Sequence, residues 1–324
     1  MDQLDRKLLR ILERDARITY RELSEKLGIS IPSVQKRMVS LEGSGRILGY
    51  SAHISLLALG GSMVVIQGRS EADFAPDVVD ELGKSDSVMT VMCGNQNDLV
   101  IGVFLRDLSE LDTIVSYIRE VGKVPDPEVL MVTPGSDITC TRGGGAGGEP
   151  QLSDLTALDL RIIWALHKNA RRSISDVAED IGISSKTVSR RLGRMVESGA
   201  IDFHVMALPN LDEDLMTVLH LRIGPDAPRQ SVIRKVRDLP GDFIDEDLSF
   251  SNEPDLIMFV LFTQNLSELK DLLHQVRKIE GVVKISHDVI LYQQYFGTWR
   301  DRLLAERVRS ILSRNVRDGS PGPE

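Results

Sequence analysis

Apolar and polar positions follow a pattern that occurs twice in this chain, and Gly28-Ile29-Ser30 recurs as Gly182-Ile183-Ser184, 154 residues later. In each copy, apolar residues four positions apart predict a short helix that ends at the glycine, where positive φ is favoured. The serine that follows can cap a second helix. The inward-facing positions are Leu23, Leu27, Val34 and Leu41 in the first copy and Val177, Ile181, Val188, Leu192 and Met195 in the second. The pattern predicts two helix-turn-helix motifs.

An amphipathic helix precedes each motif, and a short β-wing is predicted to follow it. The preceding helices are marked by Leu4, Leu8, Ile11 and Leu12 and by Leu158, Ile162, Ala165 and Leu166. The wings would begin at residues 45–50 and 199–203 and lead into longer strands. Each half of the chain is therefore predicted to open with a winged helix-turn-helix domain.

Residues 62–133 and 216–291 change to alternating strand and helix patterns in the order βαββαβ. This order is typical of a ferredoxin-like domain, in which the helices cover one face of an antiparallel sheet. The motif Leu108-Ser109-Glu110-Leu111 recurs as Leu266-Ser267-Glu268-Leu269. The predicted fold class is α+β, with two copies of a winged helix-turn-helix domain followed by a ferredoxin-like βαββαβ domain.

These patterns divide the chain into six segments. Five glycines in the six residues 143–148 predict a flexible linker. Residues 299–317 predict a basic helix with one apolar side, followed by a disordered tail. The predicted segments are 1–50 (winged helix-turn-helix), 51–139 (ferredoxin-like dimerisation and effector domain), 140–152 (linker), 153–205 (second winged helix-turn-helix), 206–296 (second ferredoxin-like domain) and 297–324 (basic helix and tail).

Composition narrows the possible functions. The chain of 324 residues has no run that approaches the ~18 apolar residues of a membrane span, so we expect a cytoplasmic protein without membrane contact. Cys93 and Cys140 fit a reducing compartment, and the six histidines are scattered singly without metal-ligand spacing. We therefore expect no metal, no cofactor and no enzymatic activity.

The second helix of each motif presents a polar and basic face. Residues 30–41 and 184–195 contain basic residues and no acidic residue, although the net charge of the whole chain is −9. Local charge on such a face governs the attraction to DNA phosphates. The predicted DNA-binding residues are Ser30, Ser33, Gln35, Lys36, Arg37 and Arg46, and Ser184, Lys186, Thr187, Ser189, Arg190, Arg191 and Arg194. Because the two faces differ, we expect a double-stranded DNA site with two unlike halves.

Several of these assignments have alternatives. Both faces could be solvated basic helix surfaces that contact nothing. Arg37 and Arg191 occupy a position that can also form a structural salt bridge to a neighbouring helix. Arg46 would reach a phosphate from the wing tip, or it would be an exposed turn arginine.

The order of helix, turn-helix, wing and βαββαβ resembles the Lrp/AsnC (feast/famine) regulator family over nearly the whole chain, twice. The residues that carry the resemblance include Leu4-Asp5, Asp15-Ala16-Arg17, Leu27-Gly28-Ile29-Ser30, Val34, Arg37, Leu41, Gly45-Arg46-Ile47 and Gly49-Tyr50. The resemblance implies transcriptional regulation through DNA, dimerisation through the ferredoxin-like domains and a small effector such as an amino acid. Within one chain it implies pairing of the two halves, and we also expect a homodimer of such chains.

The resemblance also implies an effector loop of the form Gly-x-x-Asp between the second and third strands. The first copy reads Gly94-Asn95-Gln96-Asn97-Asp98, which is one residue longer, and the second reads Ser251-Asn252-Glu253-Pro254-Asp255 without the glycine. The candidate effector residues are Gly94, Asp98, Asn252 and Asp255. The alternative is a pair of hairpin turns with a capping aspartate.

Two rival functions belong to other classes. Sirohaem decarboxylases have a fold that resembles these regulators but act on a tetrapyrrole, which should require clustered histidines and arginines that the sequence does not obviously supply. The other rival is a sensor or partner-binding module without DNA affinity. The acid-free basic helices favour the regulator.

Overall fold

A computed structural model describes residues 2–134, 151–207, 214–239 and 244–317 of the chain. Most of the predicted glycine-rich linker, Cys140 and the predicted tail at 318–324 lie outside these residues. The chain divides into two compact units. We call Ser62–Thr141 and Leu208–Phe296, with Met1–Arg10, the sheet unit, and Ile11–Gly61, Arg142–Ala207 and Gly297–Glu324 the helix-turn-helix unit.

The secondary structure repeats in the two halves of the chain. The first half contains α1 (Gln3–Arg14), α2 (Tyr20–Leu27), α3 (Ile31–Gly43), β1 (Ile47–Ile54), β2 (Ser62–Arg69), α4 (Val79–Leu82), β3 (Val88–Gly94), β4 (Asp98–Leu105), α5 (Leu111–Val121) and β5 (Glu128–Met131). The second half contains α6 (Ala157–His167), α7 (Ile174–Ile181), α8 (Ser185–Glu197), β6 (Ile201–Ala207), β7 (Leu215–Ile223), α9 (Arg229–Arg237), β8 (Ile244–Ser249), β9 (Leu256–Thr263), α10 (Leu266–Arg277), β10 (Val282–Tyr295) and α11 (Trp299–Arg317). The predicted α+β class with two helix-turn-helix and two βαββαβ segments is confirmed.

The turn of each helix-turn-helix motif forms at the predicted glycine. Gly28 and Gly182 have φ values of 67° and 70°, in the left-handed region that glycine adopts without a Cβ penalty. Ser30 and Ser184 then cap α3 and α8, because their hydroxyl oxygens accept from the backbone N–H of Ser33 and Thr187. The two motifs are therefore closed by the same local bonds.

The two predicted wings pair with each other. Strands β1 and β6 form a two-stranded antiparallel ribbon in the helix-turn-helix unit, with Ser51 opposite His204 and Tyr50 opposite Val205. Ser51 and Val205 are repeat-related positions, and so are Tyr50 and His204. Each pair is therefore the repeat-related copy of the other, and the register is symmetric with respect to the duplication. Each predicted short wing is thus one continuous strand that joins the two halves.

Two arginines form hydrogen bonds between the two halves near this ribbon. Arg17 donates to the carbonyl oxygen of Ala170, and its repeat-related residue Arg171 donates to the carbonyl oxygen of Ala16 at 2.7 Å. Arg171 also lies over the rings of Tyr20 and Tyr50, 5.3 Å from each centroid. Such cation–π contacts add to the hydrogen bonds.

Helix α11 packs on α6 and β1 within the helix-turn-helix unit. Its buried side includes Trp299, Leu304 and Val308. Arg300 is also buried, and its Nη2 donates to the carbonyl oxygen of Ile54 at 2.5 Å and to Asp202 Oδ2 at 3.0 Å. The C-terminal helix therefore contacts strands from both halves of the ribbon.

The sheet unit contains one eight-stranded sheet in the order β5-β2-β4-β3-β10-β7-β9-β8. Each half contributes four strands in ferredoxin-like order, and the halves meet where β10 pairs with β3. At the opposite ends of the sheet, Val132 forms a bridge with Phe250, and the N–H of Thr133 donates to the carbonyl of Ser249 at 2.8 Å. The sheet therefore closes on itself.

The helices cover the outer side of this closed sheet in two apolar clusters. Val64 and Ile66 of β2 pack with Ile114 and Ile118 of α5, and an equivalent cluster joins β7 and β9 to α9 and α10. Cys93 is buried in the first cluster, and burial raises the pKa of its thiol to about 12. Because alternate residues on a strand face opposite sides, Gln67 and His220 face the interior of the closed sheet.

Candidate nucleic-acid interface and ligand cavity

The first candidate reading helix is α3. Val34, Met38 and Leu41 are buried, which leaves the opposite side of the helix to the solvent. Ser30, Ser33, Gln35 and Lys36 are exposed, and Arg37 is half-buried. The hydroxyls of Ser30 and Ser33 are 2.8 Å apart and form the cap, so Gln35 and Lys36 are exposed side chains of this face that take no part in it.

The second candidate reading helix, α8, is built in the same way. Its buried residues are Val188, Leu192 and Met195. Lys186, Ser189 and Arg190 are exposed, whereas Thr187 is half-buried and bonds the capping Ser184 at 2.8 Å. Within the described parts of the chain, Lys36, Lys186 and Arg190 form no ion pair, and they provide the free positive charge of the two faces.

Two further arginines of α8 bind a buried aspartate. Arg191 Nη1 lies 3.1 Å from Asp159 Oδ1, Arg194 Nη2 lies 2.7 Å from Asp159 Oδ2, and the Asp159 side chain is 0% exposed. Asp159 also accepts from the N–H and hydroxyl of Thr156 in the capping box of α6. Burial opposes ionisation, but the Thr156 hydrogen bonds and the two arginines hold the pKa of Asp159 below its usual value. Arg191 therefore takes the alternative role of a structural salt bridge, and Arg194 shares it.

Arg46 does not lie at an exposed wing tip. Gly45 has φ of 72°, and the N–H of Arg46 donates back to the carbonyl of Leu41 at 2.9 Å, which closes the end of α3. This turn brings Arg46 to the start of the ribbon, where it is only 8% exposed. This burial disagrees with both expectations for Arg46, namely a phosphate contact and an exposed turn arginine.

A cavity of about 370 Å³ lies within the sheet unit and is lined by strands from both halves. Its size is at the lower end of the range typical for small-molecule sites. Arg222 and Lys284 provide positive charge to the lining. Four carboxylates also line it, and they are Asp98, Asp126, Glu128 and Asp288. The lining thus carries both signs of charge, with an excess of negative charge.

Polar side chains connect the two halves across this cavity. His220 Nε2 lies 2.8 Å from Gln67 Oε1, and Gln67 Nε2 donates to Glu128 Oε2 at 2.7 Å. Burial lowers the pKa of His220. Burial, followed by repulsion from Asp98, raises the pKa of Asp288. A ligand that carries a positive group would relieve this repulsion between Asp98 and Asp288.

The four candidate effector residues have different surroundings. Asp98 lines the cavity, and a Cβ added to Gly94 would lie 3.5 Å from the Cβ atoms of both Asp98 and Asp288. Asp255 accepts from Arg222 Nη1 at 2.9 Å, so it orients a cavity residue rather than lining the cavity itself.

Asn252 instead forms hydrogen bonds with strand β5. Its Oδ1 accepts from the N–H of Met131, and its Nδ2 donates to the carbonyl of Val129. These two hydrogen bonds add to the closure of the sheet. They use both polar atoms of the Asn252 side chain, so no ligand is needed to satisfy its amide group.

The structure also brings together residues that are far apart in the sequence. His220, Arg222 and Lys284 come from different strands and meet only through the sheet topology. His53, His167 and Asp301 meet in the helix-turn-helix unit. Neither group has a short-range spacing that a sequence pattern could reveal. In the described part of the chain, no helix combines the length and apolar composition needed to cross a membrane.

Comparisons with known proteins agree with this organisation. An AsnC-type helix-turn-helix domain matches residues 1–42, and a winged helix-turn-helix DNA-binding domain matches residues 155–202. The HTH-type transcriptional regulator LrpA of Pyrococcus horikoshii is 34% identical over 128 residues, which cover 38% of this chain and 88% of that protein. LrpA of Pyrococcus abyssi is 33% identical over 128 residues, with the same coverage.

The fold and these matches define a duplicated helix-turn-helix protein of the regulator class. The chain belongs to the Lrp/AsnC family of HTH-type transcriptional regulators, in a tandem form with two units. The resemblance to this family, which the repeated motifs indicate, is confirmed.

A structural likeness extends over almost the whole chain. The match to siroheme decarboxylase NirDL covers 96% of this chain and 100% of the NirDL chain, with a TM-score of 0.57 and 15% identity. Its complex with an iron-uroporphyrin III analogue has a TM-score of 0.58 and 14% identity. At this identity the likeness establishes a shared fold. It contradicts the prediction that the protein is not an enzyme, because an enzyme has this full-length architecture.

Proposed function

We propose that the chain is a sequence-specific DNA-binding regulator that contacts double-stranded DNA with α3 and α8. The observation that carries this proposal is the pair of exposed helix faces that carry Lys36, Lys186 and Arg190, within segments 30–41 and 184–195 that contain no acidic residue. Lysine and arginine bind phosphates or guanine, and Gln35 offers the amide that can pair with adenine. Sequence readout therefore rests on a few exposed residues in each half, and the two halves of the DNA site should differ.

The test begins with selection of bound fragments from a random DNA pool, followed by binding measurements on the selected site at several salt concentrations. Each phosphate contact releases counterions, so alanine at Lys36, Lys186 or Arg190 should reduce the log–log salt slope by roughly 1 where that residue binds phosphate. Lys270→Ala, an exposed change in the sheet unit, is the matched control and should leave the slope unchanged. Unchanged slopes in all three variants would contradict the proposed interface.

The sheet unit is proposed to bind a small effector with both an amino group and a carboxylate, such as a free amino acid. Arg222 and Lys284 suit a carboxylate, while Asp98 and Asp288 suit an ammonium group. Both halves line the cavity, so an occupant would contact the two ferredoxin-like segments at once.

A second candidate is a tetrapyrrole site, and the full-length likeness to NirDL favours including it. Uroporphyrin-type molecules carry many carboxylates, which the four acidic residues of the cavity would repel. The charge of the lining therefore favours the amino-acid-like ligand over the tetrapyrrole.

The two ligands can be compared by calorimetry with standard free amino acids and by absorbance titration with iron-uroporphyrin. We expect a free amino acid to bind, and Asp288→Asn to weaken its binding by about 10- to 100-fold, as for the loss of a charge-assisted hydrogen bond. Asp226→Asn, an exposed change in the same unit, is the control. Tetrapyrrole binding with no amino-acid binding would support the second candidate instead.

A homodimer of chains stays a prediction. Both ends of the eight-stranded sheet are already joined within the chain, so a second chain would have to use a surface other than an open sheet edge. Light scattering of the purified chain at several concentrations would test it.

A further inference from the structure

Three side chains from distant parts of the sequence meet in the helix-turn-helix unit. His53 lies on β1, His167 is the last residue of α6, and Asp301 lies in the first turn of α11. His53 Nδ1 is 3.1 Å and His167 Nε2 is 3.6 Å from Asp301 Oδ1. One potential ligand atom of each residue lies within 4.8 Å of the others. The side chains are 16–26% exposed, so the cluster is sheltered but open to solvent on one side.

Hydrogen bonds determine which ring nitrogens face the centre of this cluster. His167 Nδ1 lies 3.0 Å from the carbonyl oxygen of Ala52, which only accepts, so Nδ1 carries a proton. The neutral ring then directs the lone pair of Nε2 towards the Asp301 carboxylate, which is also an acceptor. His53 Nε2 lies 2.9 Å from Ser51 Oγ, which leaves Nδ1 to face the centre. A proton or a metal ion can satisfy the lone pairs that face each other at this centre, and a metal ion can bind all three side chains at once.

The remaining contacts hold each side chain in this orientation. Asp301 Oδ2 accepts from the N–H of Thr298 at 2.7 Å in a helix cap, so Oδ1 is the oxygen directed at the histidines. Trp164 stacks on the His167 ring with an interplanar angle of 11°. Metal-binding histidines typically have their other ring nitrogen held by a carbonyl or polar group in this way.

The charge near the cluster permits a cation. Arg300 is adjacent in sequence to Asp301, but its guanidinium is paired with the buried Asp202 carboxylate at 3.0 Å. Among the described residues, no lysine or arginine pairs with Asp301, so its carboxylate supplies negative charge at the centre. His204 is a further nitrogen donor nearby, with its ring centroid 5.3 Å from that of His53.

The cluster breaks the symmetry of the duplication. The repeat-related positions of His53 and His167 are Ala207 and Glu13, and that of His204 is Tyr50. The histidines therefore lie together where α11 contacts the ribbon, and the repeat-related site in the other half has no histidine at these positions. A general requirement of the helix-turn-helix fold would apply to both copies and does not explain this difference.

We propose that His53 Nδ1, His167 Nε2 and Asp301 Oδ1 bind one divalent transition-metal ion of the Zn²⁺ class. Two imidazoles and a carboxylate are a ligand set that Zn²⁺ accepts, and three protein ligands leave a fourth position for water or His204. Ligands of a tetrahedral Zn²⁺ lie about 3.3 Å apart, from bond lengths near 2.0–2.1 Å. The observed 3.1 and 3.6 Å bracket that separation. The ion would fasten α11 and α6 to the ribbon.

The test uses the tag-free full-length chain, because an added histidine tag would itself bind metal. Zn²⁺ affinity is measured by competition with a chromophoric chelator, and ligand geometry is measured from the visible absorption of bound Co²⁺. We expect one ion per chain, a tetrahedral Co²⁺ spectrum and a rise in melting temperature on addition of Zn²⁺ that a chelator reverses.

Each ligand variant retains the hydrogen bond that positions the native side chain. His167→Asn keeps a donor for Ala52, His53→Gln keeps a group for Ser51, and Asp301→Asn keeps an acceptor for Thr298. Each should weaken Zn²⁺ binding by more than about 100-fold, since even loss of a group behind a ligand costs 10- to 100-fold. His274→Gln, an exposed histidine in the sheet unit, is the control and should bind Zn²⁺ like the wild type.

Absence of Zn²⁺ binding by the wild type, or equal binding by the wild type and all three ligand variants, would overturn the proposal. X-ray absorption of the Zn²⁺-loaded wild type needs no substitution and covers the case of a variant that does not fold. Two imidazoles in its first coordination sphere support the site, whereas none overturns it.

Discussion

Replacing Arg300 by methionine is expected to lower the free energy of unfolding by about 3–5 kcal/mol, the range for breaking a buried ion pair by removing one partner. Arg300 is 3% exposed and Asp202 is 5% exposed. The substitution removes Arg300 as a partner of the buried Asp202 carboxylate and removes the donors to the carbonyl of Ile54. Denaturant unfolding monitored by circular dichroism measures the change.

Two comparisons isolate the cause of this loss. Arg309→Met removes an exposed arginine from the same helix and should change the free energy of unfolding by less than about 0.5 kcal/mol. The double variant Arg300→Met with Asp202→Leu should recover much of the loss, because it also removes the buried carboxylate that Arg300 balances. A loss below about 1 kcal/mol for Arg300→Met alone would show that water reaches Asp202 and that the pair is not buried in solution.

The parts of the fold that the sequence predicts depend on neighbouring residues. The glycine turn at Gly28 and the serine cap at Ser30 are set by contacts within a few residues, and their repetition at Gly182 and Ser184 strengthens the prediction. The strand and helix order of the sheet unit follows from local apolar periodicity in the same way. The domain boundaries stay predictions because they depend on which segments pack together.

The parts that the sequence does not predict depend on distant residues. The pairing of β1 with β6 and of β3 with β10 joins segments far apart in the chain, and periodicity does not specify which strands become neighbours. Arginine is a residue type that commonly binds phosphate, but the turn at the end of α3 places Arg46 in a buried position.

The prediction that the protein is not an enzyme is contradicted by the full-length likeness to siroheme decarboxylase NirDL. It rested on the absence of a visible cluster of histidines and arginines. His220, Arg222 and Lys284 become neighbours only when β7 and β10 pair in the closed sheet. A residue cluster produced by strand pairing has no short motif in the sequence.

Asp159 is the buried carboxylate that binds Arg191 and Arg194 of α8. Asp159→Asn is expected to cost about 2 kcal/mol at neutral pH, since it removes charge-assisted hydrogen bonds while leaving arginines that can reach solvent. The loss should depend on pH, because the folded protein lowers the pKa of Asp159 below its unfolded value of about 3.9. A lowered folded pKa gives stability that is present above the unfolded pKa and is lost as the pH falls through the folded pKa.

The difference in unfolding free energy between the wild type and Asp159→Asn should therefore be constant from neutral pH down to the unfolded pKa and should shrink below it. Denaturant unfolding of both proteins at a series of pH values measures this difference, and Asp176→Asn in the first turn of α7 is the exposed control. A difference that does not change across the acidic range would mean that Asp159 acts through neutral hydrogen bonds alone. A shrinking difference would show that the charge of Asp159 stabilises α8 through Arg191 and Arg194.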